Sequence, residues 1–139
     1  MYLHFLMKLV RGTAIFLLFF ISITAFYGGM CLMVDPTGAK LQLPFRYILN
    51  SPFPDYFYPG LILFTALGLS SLIVAFGVIS HWKCSGTLVM LQGIIICGWI
   101  IVQVLLIKVL FWLQFLIMGI GIALIALGFF EKSARVERN

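Results

Sequence analysis

Four long stretches of this chain carry almost no ionised side chain, and that spacing of charge limits its fold more than any motif does. Residues 12–34, 60–80, 87–107 and 109–130 each run to 21–23 residues, and a helix needs only about 20 to cross the hydrocarbon of a bilayer. Short polar breaks and one longer segment separate them. The expected fold is all-α: a polytopic membrane four-helix bundle that uses residues 1–139 as a single transmembrane domain. Composition agrees. The chain is 63% hydrophobic and 9% charged, with a mean hydropathy of +1.18, whereas soluble domains are about a quarter charged. A water-soluble core is excluded, and the longest break leaves no room for a soluble domain.

The net charge of +5 is distributed by side rather than gathered into a patch. Lys8, Arg11, Lys83, Lys132, Arg135 and Arg138 fall on one side of the four stretches; Lys40, Arg46 and Lys108 fall on the other. The excess of Lys and Arg marks the cytoplasmic face. Both termini are therefore expected to be cytoplasmic and residues 35–58 to face outward, and no nucleic-acid partner is expected. Lys8 and Arg11 followed by the apolar run 14–26 imitate a secretory signal. The next residues, Tyr27-Gly28-Gly29-Met30-Cys31, offer no small-x-small cleavage site, and the run continues to Val34. A retained helix is expected.

The three cysteines, Cys31, Cys84 and Cys97, make an odd number without a C-x-x-C spacing. They read as small apolar fillers rather than a disulfide framework or a thiol centre. Asp35-Pro36-Thr37-Gly38 has the residue preferences of a type I turn and ends the first helix. Gly28-Gly29 just before it would loosen or kink that helix, or let another backbone come close. The outer segment, residues 35–59, contains all five prolines together with Phe45, Tyr47, Phe53, Tyr56, Phe57 and Tyr58. Amphipathic rings suit the headgroup layer, so an ordered aromatic, proline-rich cap is expected between helices one and two.

A single helix over residues 87–130 would be about 66 Å long, more than twice the hydrocarbon thickness. The chain must reverse within it, and Lys108 marks the place. The pairs Ala66/Ser70, Ser71/Ala75 and Gly119/Ala123, each four apart, suit close helix packing in lipid or contact with a second copy of the chain.

No catalytic, cofactor-binding or metal-binding set emerges. None of the four stretches contains Asp, Glu or His, which weakens proton- or ion-coupled transport, and His4 and His81 are too isolated for a site needing three or four ligands. Six residues stand out as a polar cluster or partner-binding set: Asp35, Asp55, Tyr56, Gln103, Lys108 and Gln114. Gln92, Gln103 and Gln114 are spaced by eleven, close to three helical turns. They would either line a polar pocket with Lys108 or bond between helices. Lys108 either snorkels to the outer headgroups or pairs with Asp35 or Asp55. Asp35 suits its turn, and Asp55 suits the start of helix two; convergence of the two carboxylates on a cleft would instead make an enzyme.

The run Gly28-Gly29, Asp35-Pro36-Thr37-Gly38, Leu43-Pro44, Leu49, Ser51-Pro52-Phe53, Asp55-Tyr56 and Pro59-Gly60 resembles a group of small, uncharacterised bacterial four-helix integral membrane proteins. Gly98-Trp99-Ile100 with Gln103, and Trp112-Leu113-Gln114, are similar to later spans of the same group. The resemblance covers residues 28–128. It implies a multi-pass protein of the bacterial cytoplasmic membrane and supplies no activity. Where this chain has Gln103 the group often has an acid, so the amide argues against a proton-binding role there. The leading expectation is a non-enzymatic membrane component that binds a protein partner or lipid through its outer segment. A small transporter or lipid-handling protein with a cavity between helices comes second, and a membrane enzyme third. Expected partners are membrane lipids, a membrane-protein partner or a homo-oligomer.

Overall fold

The computed structural model describes residues 2–36, 54–107 and 112–138. Among them the chain forms four helices, each long and apolar enough to cross a membrane. These are α1, Tyr2–Val34; α2, Phe57–Ile79; α3, Ser85–Ile107; and α4, Trp112–Arg138. They stand in a square, with α1 against α2 and α4, and α3 against the same two. Chain order makes neighbours antiparallel, and both termini lie at one end together with the α2–α3 turn.

The helix α1 starts ten residues earlier than the apolar stretch that predicts it. Nothing between Tyr2 and Arg11 breaks a helix, so Lys8 and Arg11 lie inside it. At its other end the Asp35 N–H donates to the Cys31 carbonyl at 3.0 Å, closing the last turn, and Pro36 cannot extend the ladder. Gly28 and Gly29 do not break α1. Gly29 instead admits a second backbone: a Cβ there would lie 2.7 Å from the Gly60 carbonyl oxygen. Pro59 falls in the first turn of α2, where its missing N–H costs nothing.

Residues 63–69 of α2 are wound as a π-helix, so its middle carries carbonyls displaced from the regular ladder. The helix ends at Ile79. The Trp82 N–H bonds the Gly77 carbonyl at 3.0 Å, the His81 N–H bonds the Val78 carbonyl at 3.2 Å, and His81 has φ 58°. This is a Schellman end in which a non-glycine takes the left-handed position. The Trp82 ring lies over Gly77, where a Cβ would sit 2.5 Å from the ring carbon Cε3. The short turn then leads directly into α3. Helices α3 and α4 are separate, as helix length requires; their connection, residues 108–111, lies outside the described residues, and so do residues 37–53 of the expected outer cap.

The fully buried core joins all four helices through Leu18, Val78, Val89, Ile96 and Leu124. Large apolar side chains also cover the outside, among them Phe16, Tyr27, Phe76, Leu105, Phe115 and Phe129. A surface this apolar around its whole girth fits lipid rather than water.

Helices α3 and α4 touch through glycine at heptad spacing. A Cβ at Gly93 would sit 2.5 Å from the Gly121 carbonyl oxygen, and one at Gly128 would sit 2.5 Å from the Met90 amide nitrogen. The small-residue pairs read from sequence behave differently from one another. Ser71 and Ala75 are buried, whereas Gly119 is exposed with open space around it. Backbone contact falls to Gly86, Gly93, Gly121 and Gly128 instead. Replacing Gly93 or Gly128 by Val should lower stability by at least the roughly 1–3 kcal/mol typical of overpacking, and Gly119→Val should change it little. Thermal unfolding of the purified protein in detergent checks this.

Candidate functional site

Among the described residues, the polar contacts between elements lie at four levels. At the terminal end, Arg11 of α1 reaches Glu131 of α4, Nη1 to Oε1 at 3.1 Å. Its Nη2 donates to the Val78 carbonyl of α2. The Ser85 hydroxyl, at the start of α3, donates to the same Glu131 Oε1 at 2.8 Å. One cluster thus ties all four helices, with Glu131 only 1% exposed. Lys8 and Lys132, beside it, are exposed.

Glu131 escaped the sequence reading because it stands one residue past the apolar stretch 109–130, at the head of a charged tail. The signal was present in its register. Glu131 follows Gly128, Leu124 and Gly121 by three, seven and ten residues, which places it on the interior face of α4. Arg11 likewise shares a face with Met7, Ala14 and Leu18, all buried. The basic residue read as orienting the chain from outside the first span is therefore inside the bundle, paired with a carboxylate.

A second cluster sits at mid-bundle, against the π-helical turn. The Gln92 Nε2 of α3 donates to the Ser71 hydroxyl at 2.9 Å and to the Ala66 carbonyl at 3.3 Å. The Ser22 hydroxyl of α1 donates to the Gly68 carbonyl at 2.9 Å. Donors on neighbouring helices thus meet carbonyls of the π-helical segment, in an apolar interior where an unmet polar group costs a few kcal/mol. Among the described residues no buried side-chain nitrogen or oxygen lacks a partner.

At the far end, the Gln114 Nε2 donates to the Gln103 Oε1 at 3.0 Å, linking α4 to α3. The three glutamines therefore do not form one pocket. Gln92 bonds to α2 and Gln103 to α4, about 16 Å apart along the same helix at 1.5 Å per residue. Lys108, placed with them by the sequence, lies outside the described residues.

The fourth level is the base of the outer segment. The Tyr56 N–H donates to the Pro36 carbonyl at 3.0 Å, and Tyr56 is 2% exposed. The Asp55 Oδ1 accepts the Phe57 N–H at 3.0 Å, at the start of α2. Asp35, half-buried, and Asp55 flank this closed junction. The two ends of the segment are thus fastened to each other directly above the Gly29–Gly60 contact.

The cysteines are free thiols. Cys84 is exposed in the α2–α3 turn, and Cys97 packs toward Gly121 of α4. Among the described residues no group of three or more His, Cys, Asp or Glu is placed to hold a metal ion. Comparison with known proteins gives no match among family models, curated proteins or solved structures.

Removing one member of a buried ion pair leaves an uncompensated charge, at a typical cost of about 3–5 kcal/mol. A membrane interhelical hydrogen bond contributes on the order of 1 kcal/mol. Glu131→Ala should therefore lower the unfolding temperature well beyond Gln103→Ala, and the double variant Arg11→Met/Glu131→Leu should recover much of the loss. A double-mutant cycle of detergent unfolding measures both.

Proposed function

We propose that the chain is a multi-pass protein of the bacterial cytoplasmic membrane, with both termini cytoplasmic, acting as a non-enzymatic component that engages a membrane-protein partner through residues 35–59. The observation that carries this reading is the fastened base of that segment. The Pro36–Tyr56 backbone bond, the buried Tyr56 and the Gly29–Gly60 contact mount the loop on a rigid pair of helices, and binding residues are commonly placed on loops held in that way. The same segment contains all five prolines of the chain together with six of its aromatic residues.

Location rests on the four apolar helices and their lipid-like outer surface. Orientation rests on the six basic residues at the terminal end against three beyond the other. Membership of the bacterial cytoplasmic membrane follows the resemblance noted from the sequence. The interior polar groups at mid-bundle are consumed by one another, which favours a structural role for them over a transport path through the π-helical turn.

Incorporation of a photo-crosslinking amino acid at Phe53 or Tyr58 should give a discrete protein adduct in intact cells, and incorporation at the outward Phe16 of α1 should not. A lipid adduct alone at Phe53 and Tyr58 would transfer the role of the segment to headgroup binding, and an adduct of twice the chain mass would identify a second copy as the partner. For orientation, a polar thiol reagent should label Cys84 only after the cytoplasmic side is opened, while Cys97 resists. A fusion after Asn139 that is active only outside the cytoplasm would overturn the topology.

A further inference from the structure

The polar links of the bundle sort by the helices they join. Within the hairpin α1/α2, backbones meet at Gly29 and Gly60, Ser22 bonds the Gly68 carbonyl and Phe26 packs over Gly68. Within the hairpin α3/α4, backbones meet along Gly86, Gly93, Gly121 and Gly128, and Gln103 bonds Gln114. Each hairpin is packed more tightly within itself than against the other. Across the seam between them run the ion pair Arg11–Glu131 at the terminal end and the Gln92 bonds to Ser71 and Ala66 at mid-bundle.

We infer that the two hairpins are rigid bodies and that Arg11–Glu131 is a latch between them, whose release parts the seam at the terminal end about the Gln92 link as pivot. Backbone contact at glycine deforms poorly, so relative motion falls at the seam, where the hairpins meet through side chains rather than main chains. The two cross-seam links differ in what release would expose. Gln92, Ser71 and the Ala66 carbonyl are enclosed at mid-bundle, where parting would leave them unsatisfied in an apolar medium. Arg11 and Glu131 stand at the end of the bundle, next to the exposed Lys8 and Lys132. Long charged side chains there reach the headgroup layer by snorkelling. The latch therefore has two satisfied states, paired and buried when the seam is closed and hydrated when it is open. Each arm is anchored in its own hairpin: Arg11 also holds the Val78 carbonyl of α2, and Glu131 also holds Ser85 of α3. Release of one bond then moves helix pairs rather than single helices.

Distances between spin labels on the full chain test this in detergent and in lipid nanodiscs. Labels at the exposed positions Thr13 and Ser133 span the seam. Thr13 with Ser80 reports the first hairpin, and Cys84 with Ser133 reports the second, all at the terminal end and in a Cys31→Ser/Cys97→Ala background, with Cys84→Ser added for the 13–133 and 13–80 pairs. Arg11→Gln and Glu131→Gln should each shift the 13–133 distribution to longer distances by more than its parental width, leaving the 13–80 and 84–133 distributions in place. Arg11→Lys, which keeps the charge, should retain most of the parental distribution. An unchanged 13–133 distance in both glutamine variants overturns the latch. Equal broadening of all three pairs also overturns it, because the cluster would then hold the fold rather than the seam. Failure of both glutamine variants to give monodisperse protein counts against it in the same way.

Discussion

Close contact between backbones at glycine is the interaction on which the rest of the bundle depends. In lipid, leucine gains nothing by turning inward, since the solvent outside is as apolar as the core. Association then relies on dispersion between closely approaching surfaces and on polar bonds. Gly29 against Gly60, and the heptad-spaced Gly86, Gly93, Gly121 and Gly128 between α3 and α4, bring main chains together where a single methyl group would collide. That contact sets the separation of the helices in each hairpin, and hence which side chains can reach across.

The polar residues follow from the same constraint. An apolar interior tolerates a donor or acceptor only if another protein group meets it. The π-helical turn of α2 displaces carbonyls at the level where Ser22 and Gln92 are available to meet them. The buried carboxylate of Glu131 is met by a guanidinium and a hydroxyl. A buried ion pair is a weak source of net stability, since desolvation offsets most of the attraction. Its effect here is on arrangement: four helices share one cluster, so an error in the register of α1 or α4 would strand a charge and one in α2 or α3 would lose a hydrogen bond to it.

The functional reading and the latch draw on opposite ends of the molecule. At one end, the Pro36–Tyr56 bond closes the base of the aromatic segment on the α1/α2 hairpin. At the other, an ionic contact joins that hairpin to α3/α4. Motion at the seam would therefore carry the closed junction of Pro36 and Tyr56 as a unit with α1 and α2.

Residue by residue, the sequence determined those features that depend on neighbours in the chain. Length and unbroken apolarity required four helices. Pro36 ended α1, and the six residues His81–Gly86 between the second and third apolar stretches forced an antiparallel hairpin. Helix length alone required a reversal within residues 87–130. Tertiary structure decided what depends on which faces meet. It directed Gln92 to α2 and Gln103 to α4, although the two share a register. It left Gly119 facing outward and made Gly93, Gly121 and Gly128 the contact. It also drew Arg11 and Glu131, which read locally as the flanks of apolar stretches, into one buried pair separated by most of the chain. Charge spacing reports where a helix leaves the apolar layer, but a long side chain near that boundary has two solvents within reach, water and the interior. Only the position of an opposite charge on another helix determines which one it takes.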